Sequence, residues 1–497
     1  MPHSHANGLW VVDALSMCLA EPSTSTLTQR LYDALRGWIQ SGELPVGSAL
    51  PASRRLATAL GLGRNTVLGA IERLVAEGFI VTRPGAGAFV TEWGVRGADT
   101  KVATTSVPAK PSLSARGERI VSLAGTLSEK LTVFAPGVPA LDRFPQERWQ
   151  RLLRRHQQRA PLTWFDYQHG GGLPVLREAL CDYLRLSRSV RCRPEQILIT
   201  QGAQQVFELI VRLLSDAGDA VWMEDPGYGG ALACFGSAGL DVVPVPVDEE
   251  GMNPAAVESD APAPGLIYLT PSHQYPSGVT MTLARRTALL EIAQRQGAWI
   301  IEDDYDSEFR YASAPIASLQ GLMTNAPVIY VGTFSKVLYP GLRLGYVVLP
   351  EALIEPFRRA NARLHREGQY VAQAALADLI VEGDFSRHIA RMRELYRQRQ
   401  ALLREVLAPA VAQGLALSEG QAGMHLVARL DSVELETALV RQARDAGIGL
   451  SPLSSFYISR DRSSSRQPGL VLGYAGTDEA EIRRAGGWLS DAWLTLR

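Results

Sequence analysis

The stretch GTFSKVLYPGLRLGYVV, residues 332–348, carries Lys336, the only lysine after position 130. An apolar run, VIYVG (328–332), leads into it, and small or apolar residues surround the amine. Lysine in such a setting has a lowered pKa, and its neutral amine is a nucleophile that forms a Schiff base with an aldehyde. Seven residues on, Arg343 offers a planar cation that suits a dianionic phosphate, and Thr333 and Ser335 offer hydroxyls to the same group. Taken alone, a lysine of this kind is more often one that extends its head to solvent. The segments around the peptide therefore decide its reading.

Working outward, the short apolar runs QILIT (196–200), AVWME (220–224), LIYLT (266–270) and WIIED (299–303) alternate with helical patterns such as QQVFELIVRLLSDAG and LARRTALLEIAQRQG. Alternation of this kind predicts an α/β fold with a mainly parallel sheet. Chemistry collects where the runs end. TQGAQQVFELI (200–210) opens a helix directly after a strand, so the N–H groups at Gly202, Ala203 and Gln204 form a seat for phosphate. MEDPGYGGA (223–231) displays Tyr228, which can stack on a flat heterocycle or simply cover the core. In AWIIEDDYDSEF (298–309), Asp303 continues the apolar run and can pair with a pyridinium nitrogen, whereas Asp304 and Asp306 read as a solvated acidic turn.

Residues 26–92 have a different pattern. TLTQRLYDALRGWIQSGEL places Leu31, Leu35, Trp38 and Ile39 on one helical stripe. A short helix follows from about Ser53, a plausible N-cap, and after the turn GLG a longer one starts at about Arg64. IVTRPGAGAFVTE then reads as a two-stranded wing. In a helix-turn-helix the second helix enters a major groove, so Arg64, Asn65 and Thr66 at its start are candidates to reach base edges. Arg54 can hold a phosphate, and Gly85 and Gly87 let the wing tip approach the DNA backbone. Seven arginines against five acidic residues give this module only a small positive charge. Periodicity alone suits a structural helical domain with an exposed arginine face equally well.

Between these regions, residues 93–130 are rich in Gly, Ala, Ser, Thr and Pro, which predicts a flexible linker. They hold the other three lysines, Lys101, Lys110 and Lys130, while the remaining cations among the 50 Lys and Arg are all arginine. The expected organisation is a lead-in segment (1–25), a winged helix-turn-helix (26–92), the linker and a large α/β domain (131–497). A hydrophobic share of 46% and a charged share of 20% over 497 residues exclude a mostly disordered chain. A net charge of −1 argues against indiscriminate polyanion binding but leaves room for one small basic surface. Four dispersed cysteines without a CxxC pair suggest neither a metal site nor a disulfide framework. No apolar run reaches the roughly 18 residues that a membrane span needs, and no charged start precedes the first apolar run. A cytoplasmic protein is expected.

The string LPASRRLA…LGLGRNTVLGAIERLVAEGFIVTRPGAGAFV resembles the winged-helix domain of GntR-type transcription regulators, with Ser53 where an acidic residue is usual. From about residue 134 the chain resembles fold-type I, pyridoxal-phosphate-dependent aminotransferases. The order of the two resembles the MocR/GabR-like subfamily of bacterial regulators. The resemblance implies that Arg54, Arg64, Asn65, Thr66 and Gly85 touch double-stranded promoter DNA. It implies pyridoxal 5'-phosphate as cofactor, with Lys336 as the Schiff-base lysine, Asp303 on the pyridine nitrogen, Tyr305 on the phenolic oxygen and Tyr228 stacked on the ring. Ala203, Gln204, Thr333, Ser335 and Arg343 would hold the phosphate, and Tyr167 would reach it across a homodimer interface. Two departures stand out. Tyr275, in TPSHQYPSG (270–278), occupies the asparagine position of the enzymes' Asn-Pro-Thr-Gly turn, and Val471, in GLVLGYAG, replaces the arginine that grips a substrate carboxylate. Arg460, Arg462 and Arg466, in the preceding loop, are the candidates to substitute for it. The expectation is a regulator that is not itself an enzyme and senses pyridoxal phosphate, or an amine or amino acid that reacts with it. An active aminotransferase with a DNA-binding appendage, or a repressor whose large domain only dimerises, are the alternatives.

Overall fold

The computed structural model describes residues 9–20, 24–84, 87–92, 113–123, 133–311, 316–458 and 466–496. The chain forms two units that divide between Ser112 and Leu113. In the first, the helix Leu27–Ser41 buries Leu31, Tyr32, Leu35 and Ile39. Its start is set by Thr26, whose side chain accepts from the Gln29 N–H, and its end by the left-handed Gly42. The helices Ser53–Leu60 and Arg64–Ala76 close on it through Leu56, Val67, Ala70, Ile71 and Leu74. A three-stranded antiparallel sheet completes the module, with Gly87–Val90 between Ala49–Leu50 and Ile80–Arg83.

Two details differ from expectation. Ala52, not Ser53, is the N-cap, and it makes no side-chain capping bond; Ser53 is the first helical residue. The stretch expected as a lead-in contains the helix Leu9–Ala20, which packs on the same core through Val11 and Leu15. Its Trp10 ring lies 5.7 Å from that of Trp38. Trp38 therefore rests half-buried beside a further helix instead of sitting wholly within the three-helix core.

In the second unit, the helix Ala115–Leu123 falls inside the predicted linker. Ser114 Oγ accepts from the Gly117 N–H at its start, and the helix lies along the helix Gly229–Ala238. The dominant element is an eight-stranded sheet in the order Ile197–Thr200, Gly345–Val348, Val328–Thr333, Trp299–Asp304, Leu266–Leu269, Ala220–Asp225, Asp241–Asp248, Gly251–Met252. Its centre is parallel, and Gly345–Val348 runs antiparallel to both neighbours. Both faces are covered. Ile197, Ile199 and Tyr330 join one apolar core, while Leu198, Ile329 and Val331 join the core on the other side. This period of two, apolar on both faces, explains why the strands read as unbroken apolar runs. Beyond it, a four-stranded antiparallel sheet, Ala416–Leu417, His425–Arg429, Gly469–Gly473 and Ser451–Pro452, packs with the long helices Asp384–Ala412 and Glu479–Leu496. No helix among the described residues is long and apolar enough to cross a membrane.

Candidate functional site

In a doubly covered parallel sheet, ligands bind at the carboxyl ends of the strands, because loops there diverge and leave a crevice. A cavity of about 230 Å³ lies at that edge. It brings together Lys336, Asp303, Tyr305, Tyr228, Ala203, Gln204, Thr333, Ser335 and Arg343. Burial pushes the Lys336 amine below its usual range, and Asp306 and Asp303 nearby oppose that shift. Behind the lysine, His388 donates from Nε2 to the Val337 carbonyl at 3.0 Å. In front of it is Gly137, with φ +68°, where a Cβ would lie 2.8 Å from Lys336 Nζ. Nothing in the pattern of residues 134–140 marks this glycine; only the fold brings it to the lysine.

Asp303 is buried and accepts from the Tyr268 hydroxyl at 2.7 Å. Burial pushes its carboxyl up to about 7, against the stabilising Tyr268 bond. The reading of Asp304 and Asp306 as a solvated turn is corrected. Asp304 is buried against Arg188, 3.2 Å away, and accepts from the Tyr330 hydroxyl; Asp306 faces His273 Nδ1 at 2.9 Å. Both carboxylates thus have protein partners in place of water, as burial of a charge requires.

The opposite end of the cavity is cationic. The helix Ala203–Leu214 opens after Gly202, whose φ of +102° favours glycine, and a Cβ at the facing Gly345 would lie 2.8 Å from Gly202 Cα. Arg343 lies beside it in the left-handed region and has no carboxylate partner among the described residues. Thr333 Oγ1 and Ser335 Oγ sit 3.1 Å apart along the same wall. An unpaired guanidinium, two hydroxyls and a helix start make a seat for a dianionic phosphate. Tyr228 is held by Gln204, whose Nε2 donates to its hydroxyl at 3.2 Å.

Tyr275, at the position where the resemblance implies an amide, lines the cavity. Its ring meets the edges or faces of Tyr228, Tyr305, His425 and Phe456, with centroids 5.4–5.9 Å away. The turn that carries it hangs from Glu224, a residue that sequence reading passed over. Fully buried, Glu224 accepts from the Thr270 N–H (3.0 Å), the Thr270 hydroxyl (2.7 Å) and Gln274 Nε2 (3.3 Å), and burial pushes it up to about 7. Val471 is fully buried in an apolar cluster with Val427 and Leu453. Arg466 does not line the cavity, and Arg460 and Arg462 lie outside the described residues. Tyr167 is 64% exposed, away from its own chain's cavity, with the Arg366 guanidinium 4.6 Å from its ring centre.

In the first unit, Arg54 is exposed on Ser53–Leu60, and Arg64 and Asn65 are exposed in the first turn of Arg64–Ala76, with Thr66 half-buried beside them. That helix buries Val67, Ala70, Ile71 and Leu74 on its other face and has no side-chain cap at its start. Its N-terminus is therefore open to an external acceptor such as a phosphate. Gly85 lies outside the described residues.

Residues 27–90 match the gntR family of bacterial regulatory proteins, and residues 131–486 match aminotransferase class I and II. The "Probable rhizopine catabolism regulatory protein MocR" of Rhizobium meliloti is 39% identical over 472 residues, which cover 94% of each chain. The "HTH-type pyridoxine biosynthesis transcriptional regulator PdxR" of Corynebacterium glutamicum is 29% identical over 478 residues, 96% of this chain and 98% of that one. Among solved structures, a Pyrococcus horikoshii kynurenine aminotransferase superposes with a TM-score of 0.67 at 26% identity, covering 78% of this chain and 96% of its own. A winged helix of one family ahead of an aminotransferase-like domain of the other, in a sequence 39% identical to a MocR regulator over 94% of each chain, leaves one assignment: the chain belongs to the MocR-type helix-turn-helix transcription regulators.

Proposed function

We propose that this regulator binds promoter DNA through Arg54, Arg64, Asn65, Thr66 and Gly85, and carries pyridoxal 5'-phosphate at Lys336 as the signal it senses, alone or with an amine that reacts with it. One observation carries the cofactor reading: a buried amine, a buried carboxylate and an unpaired guanidinium line the same cavity. Bound there, pyridoxal phosphate supplies an aldehyde on an electron-withdrawing ring. Burial keeps Lys336 closer to its neutral, nucleophilic form. Asp303, buried near Lys336 and hydrogen-bonded by Tyr268, would pair with a protonated ring nitrogen, which would favour its ionised form. Arg343, Thr333, Ser335 and the N–H groups at Ala203 and Gln204 take the phosphate, and Tyr228 offers its flat face. Tyr167 of a second copy completes the phosphate seat in a homodimer.

Valine at 471 bears on what else the site accepts. A carboxylate clamp needs a charged, bidentate group, and Val471 is a fully buried apolar residue that does not line the cavity and cannot supply one. Pyridoxal phosphate itself, or an amine without an α-carboxylate, suits the site better than an ordinary α-amino acid. In this reading ligand binding changes the preferred arrangement of a dimer and so how two winged helices engage two half-sites. The test is a promoter-binding titration of wild type and Lys336→Ala, with and without pyridoxal phosphate, alongside their absorption spectra. A visible band and a ligand-dependent change in DNA affinity are expected for wild type alone. Identical DNA affinity and footprint in every condition would remove the sensing claim, and multiple turnover of an amino donor with a keto acid would make the protein an enzyme.

A further inference from the structure

The nine-residue turn TPSHQYPSG loses an asparagine but carries a histidine, His273, that the proposed chemistry does not use. His273 is 2% exposed. Its Nδ1 faces Asp306 Oδ2 at 2.9 Å and Oδ1 at 3.2 Å, and the Tyr305 hydroxyl at 3.0 Å. The ring is closely enclosed: a Cβ at Gly423 would lie 1.8 Å from its Cε1, and one at Gly278 would lie 3.3 Å from its Nε2. Among the described residues the other titratable groups against it are His425, with ring centres 4.9 Å apart, and Asp306 and Tyr305 themselves, while Tyr275, Asp303 and Glu224 face Tyr305. His425 is occupied, since its Nε2 meets the Pro276 carbonyl at 2.9 Å and so carries the proton.

We propose that the His273–Asp306 pair is a positioning device that makes Tyr305 a hydrogen-bond donor toward the cavity. A nitrogen this close to a carboxylate carries the proton, because two bare acceptors repel. With Nδ1–H directed at Asp306 and Tyr305, the Tyr305 oxygen can only accept from it, and its own proton turns away from His273. Tyr305 lines the cavity that holds Lys336 and Asp303, so that proton is presented to an acceptor there. This offsets the missing asparagine, whose position is filled by Tyr275, a residue with no amide to donate. The proposal rests on the cofactor reading above and names the residues that stabilise the cofactor's phenolic oxygen in its ionised form.

The experiment is a pH titration of the visible absorption of full-length protein loaded with pyridoxal phosphate, for wild type, Tyr305→Phe, His273→Leu, His273→Asn, Asp306→Asn and the double variant His273→Leu/Tyr305→Phe. Circular dichroism checks that each is folded. Loss of a donor lets the oxygen keep its proton to higher pH, so Tyr305→Phe is expected to raise the midpoint by about one pH unit. His273→Leu is expected to reproduce most of that rise, and the double variant to add nothing further. His273→Asn keeps a donor near the Nδ1 position and is expected to stay near wild type; Asp306→Asn, which lets His273 lose its Nδ1 proton, is expected to shift with His273→Leu. A band in wild type whose midpoint is unmoved in His273→Leu, or shifts that add in the double variant, would overturn this proposal and leave the cofactor reading intact. Absence of any band in wild type would overturn both.

Discussion

Lys336 and Val471 show how far one residue type constrains chemistry. In a chain that otherwise uses arginine for its cations outside residues 93–130, only lysine can supply a neutral amine, since arginine stays charged. Val471 is the reverse case, an apolar residue where the resemblance to the enzymes implies an arginine. Because it is fully enclosed by Val427 and Leu453, Val471→Arg is expected not to restore a carboxylate clamp but to bury an unpaired charge. A loss of about 3 kcal/mol or more in chemical denaturation is the expected result. Gly137→Ala is expected to act on the ligand instead: its methyl group would collide with the Lys336 amine, so the affinity for pyridoxal phosphate measured by absorbance should fall about tenfold or more. At this scale some residues were legible from sequence and others were not. Lys336, Asp303 and Arg343 could be singled out because their neighbours in the chain are strand ends and turns. Asp304, one position from Asp303, could not, because its partner Arg188 is more than a hundred residues away in sequence.

At the scale of elements, the helix Arg64–Ala76 illustrates a division between faces. Val67, Ala70, Ile71 and Leu74 hold Arg64–Ala76 in place, so its exposed start can vary without cost to the fold. Arg64→Ala is accordingly expected to weaken binding to a promoter fragment by about 1–3 kcal/mol, read by fluorescence anisotropy, with unchanged thermal unfolding. The helix Leu9–Ala20 has the opposite character. Leu15 is fully buried in the winged-helix core, and Leu15→Ala is expected to destabilise that module by about 2–4 kcal/mol while leaving ligand absorbance unchanged. This helix and Ala115–Leu123 were not read from sequence. The first lies among residues taken as a lead-in, the second in a Ser-, Ala- and Gly-rich stretch, and each is stabilised by the element it lies against more than by its own residues. The inner strands of the large sheet are legible for the complementary reason: burial on both faces favours runs of successive apolar residues.

For the whole molecule, burial makes stability depend on pH. Asp303, Glu224 and Glu302 are all fully enclosed, and each carboxyl is pushed up to about 7, chiefly by burial. In the unfolded chain such groups ionise near pH 4. Between about pH 4 and 7 these three groups therefore hold more protons in the folded chain, and the stability they contribute falls as pH rises through that window; His425, pushed down to about 3 by burial, works in the opposite direction below about pH 6.5. Asp303→Asn removes one of these groups. Relative to wild type without ligand, it is expected to gain thermal stability as pH is raised from about 5 to 8, and saturating pyridoxal phosphate is expected to abolish the wild type's disadvantage. Local pattern and backbone chemistry act over a few positions, so the order of the parts, a winged helix ahead of an α/β domain, and the residue types at the strand ends are legible in the chain alone. Packing set the rest: which of those residues share one cavity, that Asp304 and Asp306 are buried with partners, that Gly137 meets Lys336, and that His273 stands between Asp306 and Tyr305. Those contacts join segments far apart in the chain, and packing, not local sequence, sets the distances between them.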